Sequence, residues 1–343
     1  MLRRHAPAAL PMSVVAALVA CRNAFAPPPL AALRRRSGLD DRADERALDT
    51  QMTTDRGDTM KHHTITGGGG TLLHLVETGN PHGQPILFLH GTSQCSLVWS
   101  RQLSSDLARH YRLVALDLRG HGSSDRPPAG YDNSRLWADD VNAAIGALEL
   151  DRPILCGWSY GPLVALDYVR YYGEERIGGL HFVGGITKLG SAAALSVLTP
   201  EFLQLVPGFF SSDVGESVRS LESLLRLCFA REPSQAELYT MLGFNVSVPP
   251  FVRQALLSRV IDNDDLLPTI RTPVLITRGA ADAIVKPEIV EQHRLVLPHA
   301  EVDIMPDAGH APFWDDAPSF NRRLGEFCKT VARADRIAAA RAS

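Results

Sequence analysis

The chain has no charge excess of either sign. Its 35 Lys and Arg stand against 38 Asp and Glu, a formal net charge of -3. That balance removes the electrostatic argument for nucleic acid or an anionic membrane as partner, since both need clustered basic charge. Lysine is scarce, with four residues beside 31 arginines, a bias that GC-rich coding produces. Cysteine is sparse and scattered: the five, at 21, 95, 156, 228 and 328, never approach C-x-x-C spacing, so neither a disulfide framework nor a zinc site is expected. Cys156, inside an apolar run, reads as a small buried hydrophobe. No His/Cys/Asp cluster shows ligand spacing, so no metal and no cofactor are expected. Activity should therefore survive prolonged EDTA treatment, and a loss that zinc restores would contradict this reading.

Long apolar runs are missing too, so no membrane span is expected. The nearest, Ala8 to Ala20, is too short to cross a bilayer and has the form of a signal h-region. No acidic residue precedes Asp40, Ala24-Phe-Ala26 would serve as a cleavage site, and Leu18-Val-Ala-Cys21 has the form of a lipoprotein acylation box. Residues 1–59 are read as a signal-like or disordered extension. The protein is cytoplasmic if translation starts near Met60, and exported or lipid-anchored if the extension is used.

What is present is an ordinary globular composition, 45% hydrophobic and 21% charged, with ample material for a core. Two β-type runs, His62 to Thr66 and Leu72 to Glu77, flank Gly67 to Gly70. Those glycines lack the G-K-[ST] ending of a phosphate loop and read as a hairpin turn. Apolar strands then follow at Ile86 to His90, Arg112 to Asp117, Pro153 to Gly157, Leu180 to Gly185, 273–279 and Glu301 to Met305. Helical spacing separates them: Trp99 to His110, a face of Trp137, Val141, Ala144, Ile145 and Leu148, then from Pro162, Pro287 to Val296, and from about Asp316. This alternation predicts an α/β fold, a mostly parallel, doubly wound sheet covered on both faces. Residues 188–265 break it: they hold no clear strand and show apolar clusters at helical spacing around Phe202 to Val206, Leu221 to Phe229 and Phe251 to Val260. They read as a helical cap inserted between core segments 60–187 and 266–335, above the carboxyl ends of the strands where ligands bind.

The chemistry concentrates at Gly157-Trp158-Ser159-Tyr160-Gly161. A strand turning abruptly into a helix exposes the side chain at its tip and requires flanking residues without a Cβ. The tip is Ser159, beside a helix N-terminus that favours developing negative charge. The pattern alone is weak, because G-x-S-x-G is short; its strand-to-helix context and its downstream partners carry it.

Taken with His90-Gly91, Asp117-x-Arg119-Gly120-x-Gly122, Gly279-x-x-Asp282 and Gly309-His310, the order of motifs from Lys61 to Val331 resembles the α/β-hydrolase superfamily. The nearest flavour is its capped, cofactor-free esterases and non-haem haloperoxidase-like proteins. The resemblance implies the order nucleophile, acid, base: Ser159, Asp282 and His310. Gly184 to Thr187, one strand earlier, offers no carboxylate as an alternative acid. Backbone N–H groups of Tyr160 and Thr92 would form the oxyanion hole, with Ser93 as fallback. One departure stands out: many relatives continue the elbow with a second Gly, where this chain has Pro162, which places the pocket shape in question.

Serine rather than Asp at the elbow excludes dehalogenase and epoxide-hydrolase chemistry. The expectation is a serine hydrolase acting on a small-molecule apolar acyl or aryl ester. C–C bond hydrolysis or perhydrolysis by the same three residues, or a ligand receptor on the same fold, are the alternatives. Residues 188–265 carry six basic and nine acidic side chains, which speaks against a carrier-protein ester. Their apolar members Phe202, Leu205, Phe209, Phe210, Leu225, Phe229 and Phe251 are expected to line the pocket or hold the cap to the body. Nothing in the sequence bears on oligomeric state.

Overall fold

The computed structural model describes residues 52–53 and 59–342, with side chains for 60–334 and 336. The signal-like segment and Cys21 lie outside them. Nine strands form one sheet: β1 (Met52–Thr53), β2 (Thr59–Thr66), β3 (Leu72–Gly79), β4 (Pro85–Leu89), β5 (Arg112–Leu116), β6 (Ile154–Trp158), β7 (Gly179–Val183), β8 (Val274–Gly279) and β9 (Glu301–Met305). Their order is β1-β2-β3-β5-β4-β6-β7-β8-β9, and every pair from β5 through β9 is parallel. β2 and β3 form the expected antiparallel hairpin, with a 3-10 turn at Gly68–Gly70. Strands β4, β6, β7 and β8 are buried along their whole length, as continuous apolar runs demand when helices cover both faces.

The helices are α1 (Ser100–Leu103), α2 (Ser134–Ala147), α3 (Gly161–Tyr172), α4 (Ala192–Ser196), α5 (Pro200–Leu205), α6 (Val214–Cys228), α7 (Gln235–Ser247), α8 (Pro250–Leu257), α9 (Glu288–Val296), α10 (Pro312–Asp315) and α11 (Ala317–Ala342). One expectation fails: the span Trp99 to His110 is not one helix. It breaks into a 3-10 turn at Ser96–Trp99, α1, and a second 3-10 turn at Asp106–Arg109. The cause is local, because the hydroxyl of Ser105 accepts from Leu107 N–H and donates to the Gln102 carbonyl, offering the backbone an alternative to helix.

Helices α4 to α8 all fall between β7 and β8, and apart from isolated bridges such as Leu189 to Ile261 the described segment holds no strand. Buried Arg253 knits this insertion, donating to the carbonyls of Phe209, Asn245 and Val248 and to the Ser217 hydroxyl. A second buried arginine, Arg259, joins it to the core. Arg259 pairs with Asp167 on α3 at 2.6 Å and donates to the Tyr160 hydroxyl at 2.8 Å. Cys95, Cys156, Cys228 and Cys328 are free and buried, and burial raises each thiol above its ordinary value. Among the described residues no helix is long and apolar enough to cross a membrane.

Candidate functional site

β6 ends at Trp158 and α3 begins at Gly161, so the chain reverses direction within two residues. Ser159 takes φ 57, the left-handed region that costs a residue with a Cβ about 1–2 kcal/mol. Two main-chain bonds hold it there: its N–H donates to the Val183 carbonyl at 2.9 Å, and its carbonyl accepts from Ile186 at 3.2 Å. The flanking glycines are obligatory. A Cβ on Gly157 would lie 2.5 Å from the Gly161 carbonyl carbon, and one on Gly161 would lie 2.3 Å from the Leu89 oxygen. The departure at Pro162 has its complement across the turn, where a Cβ on Gly185 would come within 2.5 Å of Pro162 Cγ. The proline ring is accommodated because its neighbour has no side chain. Ser159 itself is half-buried.

Asp282 lies in the turn after β8 and is buried. Its Oδ1 accepts N–H bonds from Ile284 and Val285 at 2.8 and 2.9 Å, and its Oδ2 accepts from His310 Nδ1 at 2.9 Å. Burial pushes the Asp282 carboxyl up, but the His310 ring and the two N–H donors outweigh it and hold the group below the usual carboxylate range. His310 follows β9 and is 1% exposed. Its second ring nitrogen, Nε2, is buried without a hydrogen-bond partner among the described residues, Ser159 included. The ring fits because Gly184 faces it: a Cβ there would lie 3.1 Å from His310 Nδ1. The position after β7 thus offers space for the imidazole rather than a carboxylate.

Two further residues act on the His310 turn, and the sequence reading missed both. The Trp158 indole N–H donates to the His310 carbonyl at 2.8 Å, and the Asp315 carboxylate accepts from Gly309 N–H at 2.8 Å. The signal for Trp158 was available, since a buried indole inside an elbow must find an acceptor. Asp315 carries no signal beyond its place near a helix start.

The loop after β4 brings Thr92 and Ser93 alongside the elbow, with Gly91 packed so close that a Cβ there would be 3.1 Å from Ser159 Cβ. Ser93 gives its N–H to His121 Nε2 at 3.3 Å, whereas the N–H groups of Thr92 and Tyr160 make no hydrogen bond among the described residues. His90 pins the same loop, donating from Nδ1 to the Gly91 carbonyl at 2.8 Å and accepting from Leu118 N–H at 3.0 Å. From the insertion, Asn245 on α7 reaches buried Gln94 at 3.5 Å. Phe209 and Leu225 are buried, while Phe251 is 45% exposed against Tyr131. No group of three or more His, Cys, Asp or Glu able to hold a metal occurs among the described residues.

The profile of the α/β-hydrolase fold matches residues 84–317, well over half of the chain. The chain belongs to the α/β-hydrolase family. This α/β hydrolase is 34% identical to the esterase RhEst1 from Rhodococcus sp. ECU1013, with a TM-score of 0.75 and coverage of 79% of this chain and 99% of that one. The esterase EaEST from Exiguobacterium antarcticum is 26% identical, with a TM-score of 0.67 and coverage of 78% and 98%. The AB hydrolase superfamily protein YisY of Bacillus subtilis (strain 168) is 28% identical over 264 residues, 72% of this chain and 92% of its own length. These relatives place the α/β hydrolase in the esterase and haloperoxidase-like branch.

Proposed function

We propose that this α/β hydrolase is a serine esterase that cleaves an uncharged acyl or aryl ester through an acyl-enzyme. The observation that carries the reading is the buried Asp282–His310 pair, whose free Nε2 belongs to the same cluster of strand ends as Ser159. Serine is a poor nucleophile at its own pKa and needs such a base. His310 Nε2 takes the proton as Ser159 Oγ attacks the ester carbonyl, and returns it to the leaving alcohol. Asp282 keeps the proton on Nδ1, so that Nε2 is the acceptor, and stabilises the imidazolium that forms. The N–H groups of Thr92 and Tyr160 receive the oxyanion; Ser93 is the weaker second choice because its N–H is already given to His121. Water then repeats the sequence on the acyl-enzyme, with His310 again as base.

The insertion of helices α4 to α8 is read as a cap over this site. Its apolar side chains suit a substrate without charge, because a charged group desolvated there finds no compensating partner. Along a series of p-nitrophenyl esters from acetate upward, each added methylene is expected to raise kcat/KM by about 0.8 kcal/mol, or about fourfold, until the pocket is full. A flat profile, or a preference for anionic esters, would sink the apolar-pocket assignment. Phe209 serves the cap itself: it is buried beside Phe202 and its carbonyl accepts from Arg253, so its truncation should lower stability and leave the ranking of esters unchanged.

A further inference from the structure

The turn that carries His310 is held at three consecutive residues. Gly309 donates its N–H to Asp315 Oδ2 at 2.8 Å, the His310 carbonyl accepts from the Trp158 indole at 2.8 Å, and Ala311 donates its N–H to the Cys228 carbonyl at 2.9 Å. Only the middle contact comes from the elbow. Cys228 is the last residue of α6, inside the insertion, and the Asp315 carboxylate also accepts from Ala230 N–H at 3.0 Å and Arg231 N–H at 3.5 Å. The fit leaves no slack, since a Cβ on Gly309 would lie 2.8 Å from Ala230 N and 3.0 Å from the Cys228 oxygen. Phe229 lies beside Trp314, with ring centroids 6.2 Å apart.

A cap that only covers a pocket needs apolar contact with the body. Hydrogen bonds to the turn of the base do something else. We propose that Asp315 is a positioning residue: its carboxylate binds the His310 turn and segment 228–231 of the cap into one unit, so that docking of the cap sets the place of the imidazole. This rests on His310 being the base, as argued above. The bonds from Gly309 and Ala230 are charge-assisted and therefore stronger than neutral ones. Without the carboxylate, the N–H of buried Gly309 loses its acceptor and the tie to exposed Ala230 is cut, and the turn relaxes away from Ser159. A displacement on the order of 1 Å is enough to cost about 100-fold in rate.

The test compares Asp315→Ala and Asp315→Asn, each alone and in the His310→Ala background. It uses p-nitrophenyl acetate turnover, the pH profile of kcat/KM, and thermal melting. Asp315→Ala is expected to lower kcat by about 10- to 100-fold with KM changed less than about threefold. Asp315→Asn should lose less, because its amide oxygen still accepts from Gly309 and Ala230, and it carries the comparison if the Ala variant does not fold. The ionisation seen in kcat/KM should move in both. In the His310→Ala background neither substitution should cost anything further, because the residue through which Asp315 acts is gone. A fall in melting temperature with kcat and the pH profile unchanged would reduce Asp315 to a structural brace and overturn the proposal. Equal losses in the two backgrounds would overturn it as well. Full activity of His310→Ala alone would remove the base assignment itself, and this proposal with it.

Discussion

Ser159→Ala is expected to lower kcat by about 10⁴- to 10⁶-fold on a simple aryl ester while the fold stays intact. The size follows from the role proposed for Ser159: under that proposal, without the hydroxyl no acyl-enzyme forms, and only the proposed oxyanion donors and substrate binding remain. The intact fold follows from the structure. The strained backbone at φ 57 is held by main-chain bonds to Val183 and Ile186, which Ala retains, and Ala suffers the same left-handed penalty as Ser. Asp282→Asn should cost about 10⁴-fold in kcat, because an amide facing His310 favours the tautomer that protonates Nε2. Steady-state kinetics on purified variants, with phosphonate labelling of the native chain read by mass spectrometry, decide both. Activity above about a tenth of the native rate in Ser159→Ala, or a label on another residue, would end the assignment.

Legibility followed physical period and covalent order. The inner strands announced themselves because both-face burial writes a continuous apolar run, as in the elbow strand, which is displaced by one residue. The edge strand Glu301 to Met305, only partly buried, has the bounds its residues suggest. The insertion was readable as helical from the apolar spacing around Leu221 to Phe229 and Phe251 to Val260. Helix α7 was not, because Leu238, Tyr239, Met241, Leu242, Phe244 and Val246 spread around more than half of its axis, and the remaining arc holds Ala236, Thr240, Gly243 and Ser247, too weakly polar to set a phase. Asp282 and His310 could be located from their order after the elbow, and the structure joins them at 2.9 Å. Trp158, Asp315 and Arg259 act through contacts 152, 6 and 92 residues away in the chain, to carbonyls, N–H groups or a buried carboxylate that any sequence could supply. The indole in the elbow announces that an acceptor is needed but not which one, and the main-chain partners of Trp158 and Asp315 leave no trace in residue identity, so the pairings themselves are visible only in three dimensions.

Acid should unfold this protein early, because four of its histidines are buried and neutral. Burial holds His90 and His293 at about 4 and His121 and His181 at about 3, against an ordinary value of 6.5. Hydrogen bonding gives the same answer for two of them. His90 and His121 each donate from Nδ1 to a carbonyl and accept a backbone N–H at Nε2, so a second proton would point at an existing N–H. The sign follows from proton counting. Below 6.5 the unfolded chain binds protons that the folded rings refuse, so stability is fully present above that pH and is lost progressively as pH falls toward 4 and 3. Each ring contributes a slope of about 1.4 kcal/mol per pH unit within the window, and four together about 5 kcal/mol per unit. Against a total stability of about 5–15 kcal/mol, about one to three pH units are needed, with two matching the middle of that range. Asp117 and Asp282, held below the usual carboxylate range, act in the same direction at lower pH. Urea midpoints followed by circular dichroism should be level above about pH 7, fall steeply below about 6, and vanish near about 4.5. Activity should fail over the same interval, since His90 and His121 fix the loop that presents Thr92. A midpoint unchanged between about pH 7 and 5 would show that these rings take up protons without cost, and that the loop is held by something other than two neutral imidazoles.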